Sequence, residues 1–367
     1  MEEKPTTQTG QGEIVNDAEC RELLDLTVEK NASDLHLTVD MPPIIRIDGK
    51  LYPQTDRQAL TASHAEKLIK SFMNEDQFNK FVERKEIDFS FPYKEKVRFR
   101  VNVYMQKGFI AASLRLIPRQ IKSISELGLP PILEKFTMPS QGFVIITGPT
   151  GHGKSTSLAS MISMINQKRQ CHIITIEDPI EYVFDHNKSM ISQREVGTDT
   201  HSFGRALRAA LREDPDVVLI GEMRDLETME AALTIAETGH LVFTTLHTNS
   251  ASQTIDRIID VFPPHQQQQV RLQLANVLTG IVSQRLIPRV SGSRIVASEI
   301  LVANPAIRNL IREGKIYQIP NVISTAAAEG MIPLDKVLAE LVSKGEISID
   351  DALAWSLDPK QLKMMVY

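Results

Sequence analysis

From Asp17 to Lys30 the apolar positions recur at helical spacing, after which DLHLTV (34–39) and PIIRIDG (43–49) alternate like two short strands. A second helix is predicted over 63–85, and three extended runs follow at 87–93, 97–105 and 110–118. Together these elements describe a small antiparallel α+β domain over 16–118. Pro118, Pro130, Pro131 and Pro139 punctuate the next stretch, so 119–140 reads as a linker with one short helix. Beyond Gln141 the pattern changes to strands alternating with helices. The runs 143–147, 172–176, 217–220, 241–246 and 294–301 are almost wholly apolar, as strands buried on both faces of a mainly parallel sheet must be. Helical spacing falls near 155–167, 203–213, 225–238, 250–260 and 265–285, and from Asn304 to the end the chain reads as all-helical. The first fifteen residues are polar, rich in Thr, Gln and Gly, and read as a flexible tail.

Composition narrows the class. The 367 residues are 42% hydrophobic and 24% charged, the balance of an ordinary folded chain. That length suits two or three domains of roughly 100–200 residues. No apolar run approaches the ~20 residues of a membrane span, and MEEKPTTQTGQGE lacks the basic and apolar segments of a signal peptide, so a cytoplasmic location is expected. The two cysteines, Cys20 and Cys171, are too far apart for a disulfide framework or a zinc ribbon and read as buried thiols. A net charge of −5 speaks against a protein that wraps nucleic acid, whose phosphate contacts need clustered Lys and Arg.

The strongest chemical signal is the run Gly148, Pro149, Thr150, Gly151, His152, Gly153, Lys154, Ser155, which fits G-x-x-x-x-G-K-[ST] between an apolar strand and the helix that runs from Ser155 through Thr156. Glycines let successive N–H groups curve around a phosphate while the following helix points its positive end at the same anion. Lys154 is then expected to reach the β- and γ-phosphates of a nucleotide and Ser155 to bind Mg²⁺. A plain glycine turn would explain the glycines but not the Lys-Ser pair. His152 is expected to contribute backbone only, with its side chain outward. Glu222 emerges at the C-terminal edge of the strand 217–220, where open α/β sheets bind ligands, and is a candidate to hold Mg²⁺, partly through water. Glu177, Asp178 and Glu181 end the strand before it, and spacing does not separate them as the group that positions an attacking water. His240 and His247 flank the strand 241–246, about 23 Å apart at ~3.3 Å per residue, so they cannot share an ion. His247 falls at the phosphate end, suited to sensing the γ-phosphate or holding a catalytic carboxylate; His240 falls at the far end and is as readily structural as functional. Arg98, Arg100 and Arg115 lie on polar strand faces of the first domain, suited either to local acids or to a phosphate held elsewhere.

At ASDLHL (32–37), RFRVNV (98–103), GPTGHGKST (148–156), TIEDPIEY (175–182), ALREDPDVVLIGEMRDLETM (210–229), AETGHLVFTTLHT (236–248) and PAIRNLIREGK (305–315) the chain resembles the PilT-type twitching-motility ATPases of the type IV pilus, within the secretion ATPase superfamily. That resemblance covers nearly the whole length. It implies a PAS-like α+β domain followed by a RecA-like P-loop ATPase core over 141–303 and a helical region over 304–367. It further implies a homohexamer with ATP at subunit interfaces, Glu181 as general base, Glu222 as the second acidic motif and a histidine box on His240 and His247. Arg98, Arg100 and Arg115 become the arginines acting on a neighbouring subunit's nucleotide, and 306–315 the segment coupled to retraction. The implied partners are an inner-membrane platform protein and the pilus base, with the ring at the cytoplasmic face of that membrane, and a paralogous retraction ATPase. An accessory retraction paralogue and a pilus assembly or type II secretion ATPase are the nearest alternatives, though the latter usually carry a four-cysteine module absent from this sequence. A non-hydrolysing ATP-binding scaffold and a DNA translocase fit less well. His152 replaces the serine usual in the family's loop, and AWSLDPKQLKMMVY (354–367) follows no familiar pattern.

Overall fold

The computed structural model describes residues 15, 17–47, 49–94, 97–117 and 120–366. Except for Val15, the tail expected over 1–15 lies outside them. Contacts divide the chain into two units, 1–119 and 120–367.

In the first unit, α1 (Ala18–Glu29), β1 (Asp34–Leu37), β2 (Ile44–Ile47), β3 (Lys50–Pro53), α2 (Ala62–Lys70), α3 (Glu75–Arg84), β4 (Glu86–Tyr93), β5 (Val97–Gln106) and β6 (Phe109–Ile117) build an antiparallel sheet in the order β3-β2-β1-β6-β5-β4. Alternation on β5 sends Phe99, Val101 and Val103 into a core shared with Leu23, Leu35 and Phe72, all fully buried. The single helix expected over 63–85 is two. Asn74 breaks it, its side chain accepting from the Gln77 N–H at 2.8 Å while Gln77 accepts from the Asn74 N–H at 2.9 Å. This reciprocal cap satisfies the orphan donors of a new helix start.

The second unit opens with α4 (Ile132–Phe136) and runs through β7 (Gly142–Thr147), α5 (Lys154–Lys168), β8 (His172–Glu177), β9 (Met190–Glu195), α6 (Phe203–Ala210), β10 (Val217–Ile220), α7 (Leu226–Glu237), β11 (Leu241–Leu246), α8 (Ala251–Asp260), α9 (Pro264–Val277), β12 (Leu278–Pro288) and β13 (Arg294–Val302). Helices α10 (Pro305–Glu313), α11 (Ile319–Thr325), α12 (Leu334–Ser343), α13 (Ile349–Trp355) and α14 (Pro359–Val366) complete it. The sheet order is β13-β12-β7-β11-β10-β8-β9, with β13 antiparallel and its other neighbours parallel. Crossover helices cover both faces, which is why the central strands could be apolar at every position. None of the helices among the described residues is long and apolar enough to cross a membrane.

Two expectations are corrected here. The helix predicted over 265–285 stops at Val277, and the chain continues as β12 beside β7. Leucine spacing across 272–286 mimics a helix, but Thr279, Ile281 and Val282 are β-branched and suit a central strand. Gly280 gives way to a ring: a Cβ there would stand 2.4 Å from the Phe136 ring. That ring belongs to the expected linker, which is no open connector. Ile124, Leu129, Leu133 and Phe136 are buried in the core formed by β7, α5 and β12. Phe136→Ala is therefore expected to destabilise the second unit by about 3–5 kcal/mol through cavity formation. The midpoint of chemical denaturation measures this; a change under about 1 kcal/mol would mean the segment packs only loosely.

Candidate functional site

The site grows from the end of β7, inside the parallel sheet. Thr147 stands opposite Leu246 of β11 and Ser283 of β12, and the chain then turns through 148–153 into α5. Gly148 has φ 142°, and a Cβ on it would lie 2.2 Å from the Gln284 carbonyl oxygen, so only glycine lets the loop pass β12. Helix α5 is preceded by Gly153 (φ 81°) at its N-cap, which supplies no side-chain cap. Its first-turn N–H groups are thus left for an anion.

Lys154 is 7% exposed and donates to the carbonyls of Gly148 at 2.8 Å and Pro149 at 2.9 Å. Burial draws its ammonium down to about 8, against the opposing pull of Glu222. Two loop carbonyls hold this cation, and phosphate oxygens can replace them, so the side chain fits an anionic ligand. His247, at the C-terminal end of β11, places Nδ1 3.4 Å from Lys154 Nζ and 3.5 Å from Thr150 Oγ1. Its Nε2 lies 3.3 Å from Glu222 Oε2, while Glu222 Oε1 pairs with Arg224 at 2.5 Å. The structure thereby joins Lys154, Thr150, His247 and Glu222, contributed by the ends of three adjacent strands. A threonine relay fixes the His247 segment: Thr147 Oγ1 and Thr248 Oγ1 are 2.7 Å apart, and Thr248 Oγ1 meets Thr254 Oγ1 at 2.6 Å.

The three acidic candidates after β8 separate. Glu177 turns inward, buried, accepting from Thr175 Oγ1 at 2.7 Å, Gln193 Nε2 at 3.3 Å and the Glu181 N–H at 3.2 Å. Burial raises its carboxyl to about 7 despite those donors. Asp178 is exposed, and Glu181 is half-buried. The turn between them is held from beneath, because the buried Glu195 accepts the Ile180 N–H at 3.1 Å. Tyr182 OH lies 2.8 Å from Thr156 Oγ1 on the first turn of α5, which ties the Glu181 turn to the phosphate-loop helix. Ser155 is exposed on that same turn.

Other candidates lie elsewhere. His240 sits before β11, at the opposite edge from His247, where Nδ1 is 2.9 Å from the Ile235 carbonyl and 3.1 Å from Thr238 Oγ1. Within the chain it is not part of the cluster, because the six residues of β11 separate the two histidines. The arginines belong to the first unit. Arg115 donates to Asp34 at 2.9 Å yet keeps a side chain 65% exposed, Arg98 donates to Ser90 Oγ from both Nε and a terminal nitrogen, and Arg100 faces Arg115 across β5 and β6.

The outward orientation expected for His152 is overturned. Its Nδ1 accepts the Leu286 N–H at 2.9 Å and its carbonyl accepts from Gln284 Nε2 at 2.7 Å. Sequence reasoning missed Gln284 because β12 read as a helix. The available signal was the polar run Ser283, Gln284, Arg285 inside an apolar segment, all three buried. Among the described residues no group of three or more His, Cys, Asp or Glu could hold a metal by itself.

The model of the family described as "Type II/IV secretion system protein" matches residues 8–322. The chain is 47% identical over 331 residues to a protein of Pseudomonas aeruginosa named type IV pilus retraction ATPase PilT, covering 90% of this chain and 96% of that one. It is 47% identical over 311 residues to a twitching motility protein of Neisseria gonorrhoeae, covering 84% and 83%. Its fold matches the crystal structure of the pilus retraction motor PilT with bound ADP at TM-score 0.88 and 50% identity, over 94% of this chain and 98% of that one. The architecture is accordingly an N-terminal α+β domain followed by a RecA-like ATPase domain.

Gly148→Ala tests the cradle. The new methyl would have to displace the backbone of β12, so affinity for a fluorescent nucleotide is expected to fall by more than about tenfold with secondary structure intact. Unchanged affinity would show that the loop passes β12 without this constraint.

Proposed function

The chain belongs to the type II/IV secretion system protein family, and on that premise we propose that it is an ATPase motor whose hydrolysis of ATP drives retraction of a type IV pilus. The observation that carries the reading is the convergence of Lys154, Thr150, His247 and Glu222 beside an uncapped helix start. The phosphate loop and α5 receive the phosphates through backbone N–H groups, and Lys154 exchanges its carbonyl partners for phosphate oxygens. Ser155 and Glu222 would hold Mg²⁺, Glu222 partly through water; when bound, the ion neutralises phosphate charge. Glu181 positions the attacking water and takes its proton, while Glu177, buried behind it, keeps the turn in place. His247 orients Glu222 against the loop.

In the full reading the protein works as a homohexamer. Arg98, Arg100 and Arg115 of one subunit stabilise charge on a neighbour's nucleotide, and Arg115 then shares its guanidinium with Asp34. The ring acts in the cytoplasm, at the cytoplasmic face of the inner membrane, on the platform protein at the pilus base. It has no nucleic-acid partner, and a paralogous retraction ATPase is a further partner.

Three measurements check this. Glu181→Gln is expected to lower kcat for phosphate release by about 10²–10⁴-fold with nucleotide binding retained, and Lys154→Ala to weaken binding as well; turnover unchanged in both would remove the site assignment. In cells, loss of the protein is expected to leave surplus pili that do not shorten, and Glu181→Gln to reproduce that state; bare cells would make it an assembly motor instead. Lys154 also predicts a pH dependence. In the free protein its proton leaves near pH 8, and a bound phosphate holds that proton more tightly. Binding therefore takes up protons above about pH 8 and weakens as pH rises, while below that value this group contributes no slope. Calorimetric titration in two buffers of different ionisation heat reads the uptake.

A further inference from the structure

The back of the phosphate loop is tied to the protein at Gly151 and His152. Gly151 accepts from Arg294 at 3.3 Å, His152 takes Gln284 Nε2 on its carbonyl and the Leu286 N–H on its ring, and Gln284 Oε1 in turn accepts from Ser157 at 2.7 Å. One further contact comes from outside the sheet. The His152 ring meets Trp355, the last residue of α13, edge to face, with centroids 4.8 Å apart and planes at 63°. The Arg285 guanidinium carbon lies 6.0 Å from the same indole. Trp355 reaches this position because the terminal helices are docked: Asp335 on α12 accepts the Leu357 N–H at 3.0 Å and the Asp358 N–H at 2.9 Å, and Leu362 is buried with Leu338 and Ile287. The C-terminal stretch that follows no familiar pattern thus places its second residue against the phosphate loop.

We propose that Trp355 is a positioning residue for the nucleotide: through His152, the docked C-terminal helices hold the phosphate loop in its anion-receiving shape. The inference rests on the nucleotide-binding reading above. The physics is preorganisation. His152 sits between Gly151 and Gly153, both in the left-handed region at φ 78° and 81°, so the side chain is the loop's lever on an otherwise permissive backbone. With the ring pinned between the Leu286 N–H and the indole, the loop does not spend binding energy on ordering itself. Coupling of this kind is reciprocal: a docked tail tightens nucleotide binding by the same factor by which nucleotide tightens tail docking. A serine at 152 could not reach Trp355 in this way, so the contact depends on both rings.

The sequence holds one tryptophan, which makes the test direct. In the full-length protein, saturation with ADP is expected to reduce acrylamide quenching of Trp355 fluorescence. Trp355→Ala is expected to weaken ADP binding, measured by calorimetry, about three- to tenfold, the range of one aromatic contact, with kcat at saturating ATP changed less than KM. Trp355→Phe, which keeps an aromatic edge for His152, is expected to bind within about twofold of the parent, and melting curves show whether the alanine variant is folded. Equal ADP affinity in parent and Trp355→Ala, or a loss in Trp355→Phe as large as in alanine, overturns the proposal while leaving the ATPase reading intact. Quenching that ignores ADP overturns it too, even if the alanine variant does not fold. Absence of ADP binding in the parent removes both.

Discussion

Everything at the site depends on how closely two backbones approach. β12 runs parallel to β7, and its Gln284 carbonyl stands where a side chain on Gly148 would be. That contact bends the chain leaving β7 away from β12 and delivers it to the start of α5 with the loop N–H groups unspent. The sheet supplies the rest: β10 and β11 are in register with β7 and end at the same edge, so Glu222 and His247 arrive beside Lys154 without any long side-chain reach. A cluster assembled from strand ends is rigid because moving one member means breaking a ladder.

Burial then sorts the charged groups by task. Carboxylates meant to hold structure are taken inside and given donors, as Glu177 and Glu195 are, each accepting a backbone N–H of the 178–182 turn. Leaving such N–H groups unpaired in the interior would cost about 1–3 kcal/mol each, so these buried acids stabilise one turn geometry more than they stabilise the fold. Glu181, half-buried at the tip of that turn, keeps its side chain near water while its backbone is clamped. The same logic explains Lys154, whose ammonium is buried with two carbonyls as its neutral partners and one carboxylate at longer range.

How much of this was legible depended on whether a residue's neighbours came from its own element. The strands 217–220 and 241–246 read correctly because a fully buried strand declares itself by apolar content alone. β12 did not, since Leu274, Leu278, Ile281 and Val282 fall at i, i+4, i+7 and i+8, a spacing compatible with a helix, and the decisive partner, Phe136, is more than a hundred residues away. β9 escaped for a related reason: Gln193 and Arg194 serve the Glu181 turn and Glu213 and break the apolar pattern. The exposed β3 carries no buried position to signal it. Glycines and the Lys-Ser pair announced the phosphate loop. The inward ring of His152 did not, because its partners come from β12 and from α13, and no local pattern encodes a contact across two hundred residues.

A loop that must receive and release a ligand in every cycle cannot be equally firm on all sides. Its rear is held by Gln284, Leu286 and Arg294, contacts to strands that no phosphate can replace. Its front is held by Lys154 on two carbonyls and by His247 at 3.4–3.5 Å, long and exchangeable contacts. Only the front can be traded for phosphate oxygens. Ligand-dependent change is thereby directed toward His247 and Glu222 and away from β12, so the occupancy of the loop is felt on the side where the acidic residues and the strand ends lie. The asymmetry follows from the chain path: the rear contacts are fixed by β12 and β13 pairing, whereas the front faces the edge that the parallel strands leave open.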